Sequence, residues 1–304
     1  MSFSDKVQKA KNLVSEGKYG YLFSSVFKKF LSVFLGKNNA SKMAWSVRYL
    51  YLKKRYQPFI SEYVSQKLSI NTQMGGGKTT ETPNIIWWFW FQGEDNAPDI
   101  CKSCLRSLRR WYSDKKIITL SSQNLHEYVK LPDYINEKHE KEIISHTHYS
   151  DLVRLQLLIE HGGTWIDSTV LCTSRKFEYV MHFPLFFFHY SNWFMVSAPD
   201  NQLLTLVRDL HFMYWKDFNY CMDYYIFPMF FDMAANVYKD DWYNMPFISS
   251  RPLLEMSHAM YEEYSEEKMN HFKEISGFHK LTYKIDPKNP PSSSSIYQYV
   301  INNF

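Results

Sequence analysis

The chain has 304 residues, 35 Lys and Arg against 31 Asp and Glu, and 18% aromatic residues, so it is long enough for one large domain, or a domain with an appendage, around a sizeable core. The net charge of +4 is unevenly spread: residues 1–67 hold 13 Lys and Arg against Asp5, Glu16 and Glu62, a net of +10, which leaves the remainder at −6. A uniformly basic protein would point to nucleic acid; a basic end on an acidic globule points to an anionic surface, most simply a membrane, and this arm carries no recognisable nucleic-acid module.

At the N-terminus, Asp5, Lys6, Lys9 and Lys11 interrupt the first residues, so no signal peptide is predicted. No run approaches the roughly 18 uncharged apolar residues of a spanning helix. The protein is therefore expected in the cytoplasm, with Cys101, Cys104, Cys172 and Cys221 as reduced thiols. Residues 1–70 read as a basic helical region. An apolar band from Tyr21 to Phe34 surrounds Lys28 and Lys29, a second helix runs from about Ser41 to Tyr56 with Trp45, Tyr49 and Leu52 on one face, and Pro58 marks a break or restart. Two readings stand for this region. It docks on the inner membrane leaflet, or it forms a helical layer packed on the rest of the protein.

Residues 71–83 read as a linker. The stretch Gly75-Gly76-Gly77-Lys78-Thr79 imitates a phosphate-binding loop, but the motif needs glycine where Thr72 stands, and no apolar strand precedes it. The folded core is expected over 84–285. Asn84 to Phe91 is an apolar, aromatic strand, Pro98 opens a helix to about Trp111, Lys116 to Leu120 is a second strand, and Gln123 to Val129 a short helix. Val180 to Ser197 gives one or two strands. Gln202–Trp215, Asp223–Val237 and Pro252–Tyr264 read as helices, Lys280–Ile285 as a last strand, and 286–304 as a tail. Strands alternating with helices predict an α/β fold, Rossmann-like, with a mostly parallel sheet flanked by helices and an N-terminal helical extension.

The densest stretch is His146 to Thr173. Asp151 and Arg154 share one helix face, Leu152, Leu155, Leu158 and Ile159 supply a buried side, and Gly162-Gly163 stops the helix. Thr164-Trp165-Ile166 is a strand that ends at Asp167, where open α/β sheets bind ligands. Read alone, Asp151 and Arg154 also fit an ordinary surface ion pair. Cys101-x-x-Cys104 lacks a second pair for zinc and reads as two buried or half-buried thiols within a helix.

The pattern Ser150-Asp151-x-x-Arg154 followed by Gly162-Gly163-Thr164-Trp165-Ile166-Asp167-Ser168-Thr169 resembles the donor-binding core of glycosyltransferases with a GT-A type fold. It is most similar to the capsular polysaccharide synthesis family, and more distantly to yeast-type α-mannosyltransferases and clostridial glucosylating toxins. The resemblance runs in register over roughly 84–284. It implies a glycosyltransferase that takes a sugar from a nucleotide-sugar donor, with UDP-sugars favoured, to a lipid-linked oligosaccharide in capsule or exopolysaccharide synthesis. Peripheral contact with the cytoplasmic face of the membrane would bring residues 1–67 beside that acceptor. Retention of anomeric configuration is implied by the distant relatives. It also fits the lack of an obvious general base beside Asp167, since in a front-face mechanism the leaving phosphate takes the acceptor's proton.

On this resemblance Asp151, Arg154 and Asp167 are the catalytic candidates. Trp90, Gln92, Ser150 and Trp165 match family positions and are donor-binding candidates on the same ground, while Asn192, Asp223 and Lys280 are donor-binding candidates by their own chemistry, as groups able to bond sugar hydroxyls or offset diphosphate charge. For Asp223 a helix N-cap role stands equally open. The family motif ends in a second acidic residue, where this chain has Thr169. A Mn²⁺ or Mg²⁺ site would then draw on Asp167, Thr169 and His279. The alternative function is a non-catalytic carbohydrate- or membrane-binding protein on a degenerate version of the fold.

Overall fold

A computed structural model of the chain describes residues 19–73, 81–189 and 191–304, with side chains of the N-terminal helix at 28–30 and 32–65. The helical expectation for the first 18 residues and the glycine-rich imitation at 74–80 lie outside the described residues. The chain divides into two compact units. One holds the N-terminal helix and Leu210–Met233; the other holds the chain after that helix up to Asp209 and from Ala234 onward.

In chain order, α1 (Tyr19–Gln73) is two helical runs joined at Gly36, whose φ of 73° and ψ of 160° depart from helical geometry. Glycine reaches such a φ without a Cβ clash. The break expected at Pro58 is absent: Pro58 lies within the second run. The flanking Tyr56 and Ile60 are buried, so side-chain packing on both sides outweighs the lost N–H. Next come β1 (Ile85–Phe89), α2 (Asp99–Trp111), β2 (Lys116–Leu120), α3 (Asp133–Glu140) and α4 (His146–His161). Then follow β3 (Gly163–Ile166), β4 (Val170–Cys172), β5 (Leu185–Phe187), β6 (Phe194–Ser197), α5 (Gln202–Asp217), α6 (Ile226–Ala235), α7 (Lys239–Asn244), α8 (Glu255–His258), α9 (Glu266–Ile275), β7 (Phe278–Lys280) and α10 (Ile296–Asn303).

Several elements differ from the expectations. The helix expected at 123–129 shrinks to a single 3-10 turn, Leu125–Glu127. The Asn124 side chain ties it down, accepting from Ser121 N and donating to Thr119 O. That local bonding offers the backbone an alternative to helix. The helix expected over 252–264 is a turn at Pro252–Leu254 and the one-turn α8. The last strand sits at Phe278–Lys280 rather than Lys280–Ile285. Helices α3, α9 and α10 were not anticipated. Of these, α9 and α10 begin with serine caps, Ser265 accepting from Lys268 N and Ser295 from Gln298 N.

In the sheet unit, five strands run in the order β2-β1-β3-β6-β5. β1 pairs parallel with β2 and with β3, while β6 runs antiparallel to both β3 and β5. Four strands therefore share one direction, and the α/β, mostly parallel architecture expected from the alternation is present. The chain passes from β1 to β2 on one side, then to β3 on the other, so the strand order reverses between β1 and β3. Ligands in open α/β sheets bind in the crevice beyond the carboxyl ends at such a reversal. A second sheet pairs β4 antiparallel with β7. The core gathers Ile86 and Trp88 of β1, Cys104, Leu105 and Leu108 of α2, Ile166, Leu171, Phe186, Phe194, Phe278 and Val300. Trp87, Trp88 and Phe89 of β1 are all buried. α10 seals the far side of α2, where Arg106 Nε donates to Phe304 O at 2.8 Å.

In the N-terminal unit, Ala40, Ala44, Leu52, Tyr56 and Ile60 form a buried stripe at helical spacing, with Trp45 and Tyr49 half-buried beside it. The stripe packs on Leu210–Met233. Tyr56 meets the Phe230 ring edge-on at 6.0 Å, Arg55 and Tyr56 bond Asp217 at 3.0 and 3.2 Å, Tyr49 bonds Asp232, and Arg48 pairs with Asp223. Phe30, Val33, Phe34 and Leu35 are exposed, with Lys28, Lys29 and Lys37 among them. Among the described residues no helix is long and apolar enough to cross a membrane.

Candidate functional site

Helix α4 aims its polar residues at the end of β3 because both of its ends are fixed. Ser145 caps the start, accepting from His148 N at 3.4 Å. At the end, Gly162 and Gly163 take φ of 63° and 95°. A Cβ on Gly163 would stand 2.7 Å from Ile85 O, so only glycine lets β3 lie against β1 at this point.

Asp151 and Arg154 are each only 4% exposed, which removes the surface ion-pair reading. The Asp151 carboxylate accepts from Asn192 Nδ2 at 2.8 Å and lies 3.4 Å from Arg154 Nη2 and 3.6 Å from His148 Nδ1. Arg154 Nη2 also donates to Ser150 Oγ at 3.0 Å, and Nη1 donates to Asn192 O. Its guanidinium lies 4.9 Å from the centre of the Trp165 ring and 3.4 Å from Asp167 Oδ1. Ser150, Asp151, Arg154, Trp165, Asp167 and Asn192 thus form one connected group. The connection crosses from α4 to β3 and to the loop before β6.

Asp167 stands where β3 gives out, its N–H donating to Trp193 O at 2.8 Å. Trp165 Nε1 donates to Asp167 Oδ1 at 2.8 Å, so the buried Trp165 presents its N–H, rather than an open ring face, to the site. Burial opposes ionisation of Asp167, yet Lys280, Arg154 and the hydrogen bonds from Lys280 and Trp165 together hold its carboxyl below the usual carboxylate range.

Lys280 closes the group from the far end of the chain. β7 pairs with β4 so that Lys280 faces Val170, and Leu281 N donates to Thr169 O at 2.8 Å. Lys280 Nζ then donates to Asp167 Oδ2 at 2.8 Å and to Thr169 Oγ1 at 2.6 Å. The side chains of Lys280 and Asp167 are each 22% exposed, enough to meet a ligand. His279 does not join them. Strand alternation turns it to the other side of β7, where it is 1% exposed and its Nε2 lies 3.0 Å from Thr173 Oγ1.

The oxygens assigned to a divalent ion therefore already hold an ammonium. Mg²⁺ takes oxygen ligands at about 2.0–2.1 Å and favours carboxylates. Here a single carboxylate and one hydroxyl are hydrogen-bonded to Lys280, with Arg154 on the carboxylate's other oxygen. Among the described residues no three His, Cys, Asp or Glu side chains are grouped so as to hold a metal. These residues do not fit a resident divalent cation.

Beside the reversal point is a cavity of about 420 Å³ lined by Phe91, Ser122, Leu125, Asn136, His139 and Tyr149. His139 stacks on Tyr149 with centroids 3.9 Å apart, and its Nε2 lies 2.9 Å from His146 Nδ1. Burial, then the neighbouring His146, pushes the His139 imidazole down to about 4, so it is neutral near pH 7. Sequence reasoning missed this wall. Phe91 and Ser122 follow strand ends, but α3, which carries Asn136 and His139, gave no recognised pattern.

The remaining candidates are placed as follows. Trp90 and Gln92 flank Phe91 at the end of β1. The Trp90 ring meets Tyr283 edge-on at 5.2 Å, and exposed Gln92 sits in the turn closed by Gly93 N to Trp90 O. Asp223 belongs to the N-terminal unit, where it pairs with Arg48 and accepts from Tyr225 N just ahead of α6. Cys101 and Cys104 are buried free thiols, and burial pushes the Cys101 thiol up to about 11.

The family described as Capsular polysaccharide synthesis protein matches residues 30–300. No curated protein matches the sequence. Among solved structures, the PaToxG glycosyltransferase is similar over 65% of this chain and 85% of its own, at 12% identity and a TM-score of 0.35, a likeness too slight to carry an argument.

Proposed function

The chain belongs to the capsular polysaccharide synthesis family, and from that premise we propose that it is a glycosyltransferase. In this reading it moves a sugar from a nucleotide-sugar donor, a UDP-sugar by preference, to a lipid-linked oligosaccharide, with retention. The observation that carries the reading is the Asp167–Lys280 pair at the end of β3, beside the β1/β3 reversal and backed by buried Arg154 and Asp151.

The physical tasks divide among named groups. The cavity of Phe91, Asn136, His139 and Tyr149 suits a nucleoside, since stacked rings cover a base and Asn136 adds both donor and acceptor. Asp167 and Lys280, the half-buried pair, meet the sugar hydroxyls and the diphosphate. Arg154, Asp151 and Ser150 lie behind them, and they hold Asp167 and Asn192 in one geometry before any ligand arrives. In the transfer, the bond from the anomeric carbon to the phosphate oxygen breaks with its electron pair left on that oxygen. The acceptor oxygen bonds the anomeric carbon, and its proton passes to the leaving phosphate.

The acceptor reading draws on the N-terminal unit. Exposed Phe30, Val33, Phe34 and Leu35 among exposed lysines suit the boundary of an anionic bilayer, the surface on which a lipid-linked acceptor is presented. Peripheral attachment at the cytoplasmic face is the corresponding location.

The test is a thermal-shift screen against UDP-, GDP-, ADP- and CMP-sugars. A ligand that binds only the native state raises the melting temperature by mass action. A rise with one nucleotide class that disappears in Asp167→Ala is expected. No rise with any donor, and no donor hydrolysis, would favour the non-catalytic binding protein.

A further inference from the structure

We propose that Lys280 is the resident cation of the donor site and that donor binding needs no divalent metal, an inference that rests on the transferase reading. The argument begins with position. Lys280 Nζ bonds Asp167 Oδ2 at 2.8 Å and Thr169 Oγ1 at 2.6 Å, the two side-chain oxygens that the family motif would offer to a metal. An ammonium has three protons to donate, and these two contacts use two of them. The third, on a nitrogen whose side chain is 22% exposed, is left for a ligand oxygen.

Charge points the same way. Asp151 and Asp167 are balanced by Arg154 and Lys280, so the group is neutral before a ligand enters. A divalent cation placed at Asp167 would stand within a few ångströms of two fixed positive charges, where like charges repel strongly at reduced dielectric. The group's other carboxylate, that of Asp151, is 4% exposed and committed to Asn192 and Arg154. An entering diphosphate, by contrast, meets a cation already in place. Thr169 is then no defect in an acidic motif. Its hydroxyl accepts from Lys280 without adding a charge that would trap the ammonium in a tighter ion pair, so Lys280 stays free to turn toward phosphate.

The chemistry is unchanged in its atoms. As the bond from the anomeric carbon to the phosphate oxygen breaks, negative charge grows on the leaving diphosphate. Lys280 remains protonated throughout, donating a charge-assisted hydrogen bond that shortens as that charge grows. The position also explains why the site needs β7. The β4–β7 pairing puts Lys280 opposite Val170, three residues beyond Asp167, and Leu281 N locks the register on Thr169 O.

The experiment measures binding of UDP, GDP and ADP to the full chain by calorimetry in EDTA, in Mg²⁺ and in Mn²⁺, with the corresponding monophosphates as a second series. The expected result is one nucleoside diphosphate bound with affinity that changes less than about threefold between EDTA and either metal. Lys280→Met is expected to weaken the diphosphate about 10- to 100-fold, the worth of one charged hydrogen bond, while hardly changing the monophosphate. Lys280→Arg should recover part of the loss. The double variant Lys280→Met, Thr169→Asp should regain affinity only with metal. Binding by the unmodified chain that vanishes in EDTA and returns with Mn²⁺ overturns the inference and leaves the transferase reading standing. So does a folded Lys280→Met that binds the diphosphate as tightly as the parent. No nucleotide bound under any condition overturns the donor reading, and this inference with it. The metal arms use the unmodified chain, so they decide the matter even if a variant fails to fold.

Discussion

Asp151 and Arg154 hold opposite charges 3.4 Å apart where water barely reaches, and both are hydrogen-bonded to Asn192. Removing one partner leaves a buried charge short of its counter-ion, which costs far more than an exposed pair is worth. Asp151→Ala is expected to destabilise the chain by about 3 kcal/mol, read as a fall in the urea midpoint at constant slope. An unchanged midpoint would mean that Arg154 relaxes onto Asp167 and Asn192 at no cost. His279 gives a second prediction at this scale. Burial pushes its imidazole from 6.5 down to about 4, so between those values the unfolded chain binds more protons than the native one. Stability is then full above about pH 6.5 and lost as pH falls toward 4. At pH 5 the loss from this group is about 2 kcal/mol, and His279→Gln should flatten the dependence of the urea midpoint between pH 7 and 5. What was legible of the site follows from locality. Ser150 to Asp167 lie in one continuous helix–strand unit, so spacing alone put their backbones together. The partners that decide the electrostatics lie far along the chain, Asn192 41 residues beyond Asp151 and Lys280 113 beyond Asp167, and were legible only as a polar residue in an apolar setting and as half of a His-Lys pair.

At the scale of elements, α4, β3 and the β1–β3 pairing stand on two glycines. Gly163 has φ 95° and no room for a Cβ between Ile85 O and the Trp87 ring. Gly163→Ala is expected to cost more than about 2 kcal/mol and to disturb the proposed donor site as β3 shifts. The checks are a lower melting temperature and a lost nucleotide-induced rise in the same variant. If nucleotide binding survived at full strength, β3 could move without taking Asp167 with it. The sequence read long, periodic elements well and short ones poorly, and the reasons are physical. Apolar β1 and the helix at 99–111 bury broad faces that leave a clear pattern. Pro58 reads as a stop because propensity alone weighs against it, yet buried Tyr56 and Ile60 hold the turn around it. α10 looked like a polar tail, since only Ile296 and Val300 turn inward on it.

For the whole molecule, the asymmetry of charge separates a basic end from an acidic remainder. Phe30 and Phe34 stand one turn apart, with ring centres at 5.3 Å and both rings largely in solvent. Burying an aromatic ring in a bilayer boundary is worth roughly 1.5–3 kcal/mol. Flotation with vesicles containing phosphatidylserine is expected to carry the full chain, to weaken about tenfold or more in the Phe30→Ser, Phe34→Ser variant, and to weaken with salt. Equal flotation of parent and variant, or none with either, would leave the exposed rings to another role.

The position of Lys280 has a consequence for how the molecule comes into being. A ribosome delivers Asp151, Arg154 and Asp167 long before it delivers β7, and until then the Asp167 carboxylate has only Arg154 and the Trp165 N–H as its partners in this group. On the proposed transferase reading, donor competence arrives with β7. A product released early would keep every residue of the recognisable motif and still lack the charge that receives a diphosphate. The same C-terminal segment carries Phe278 and Val300 into the core, so the charge and part of the packing behind it are completed together.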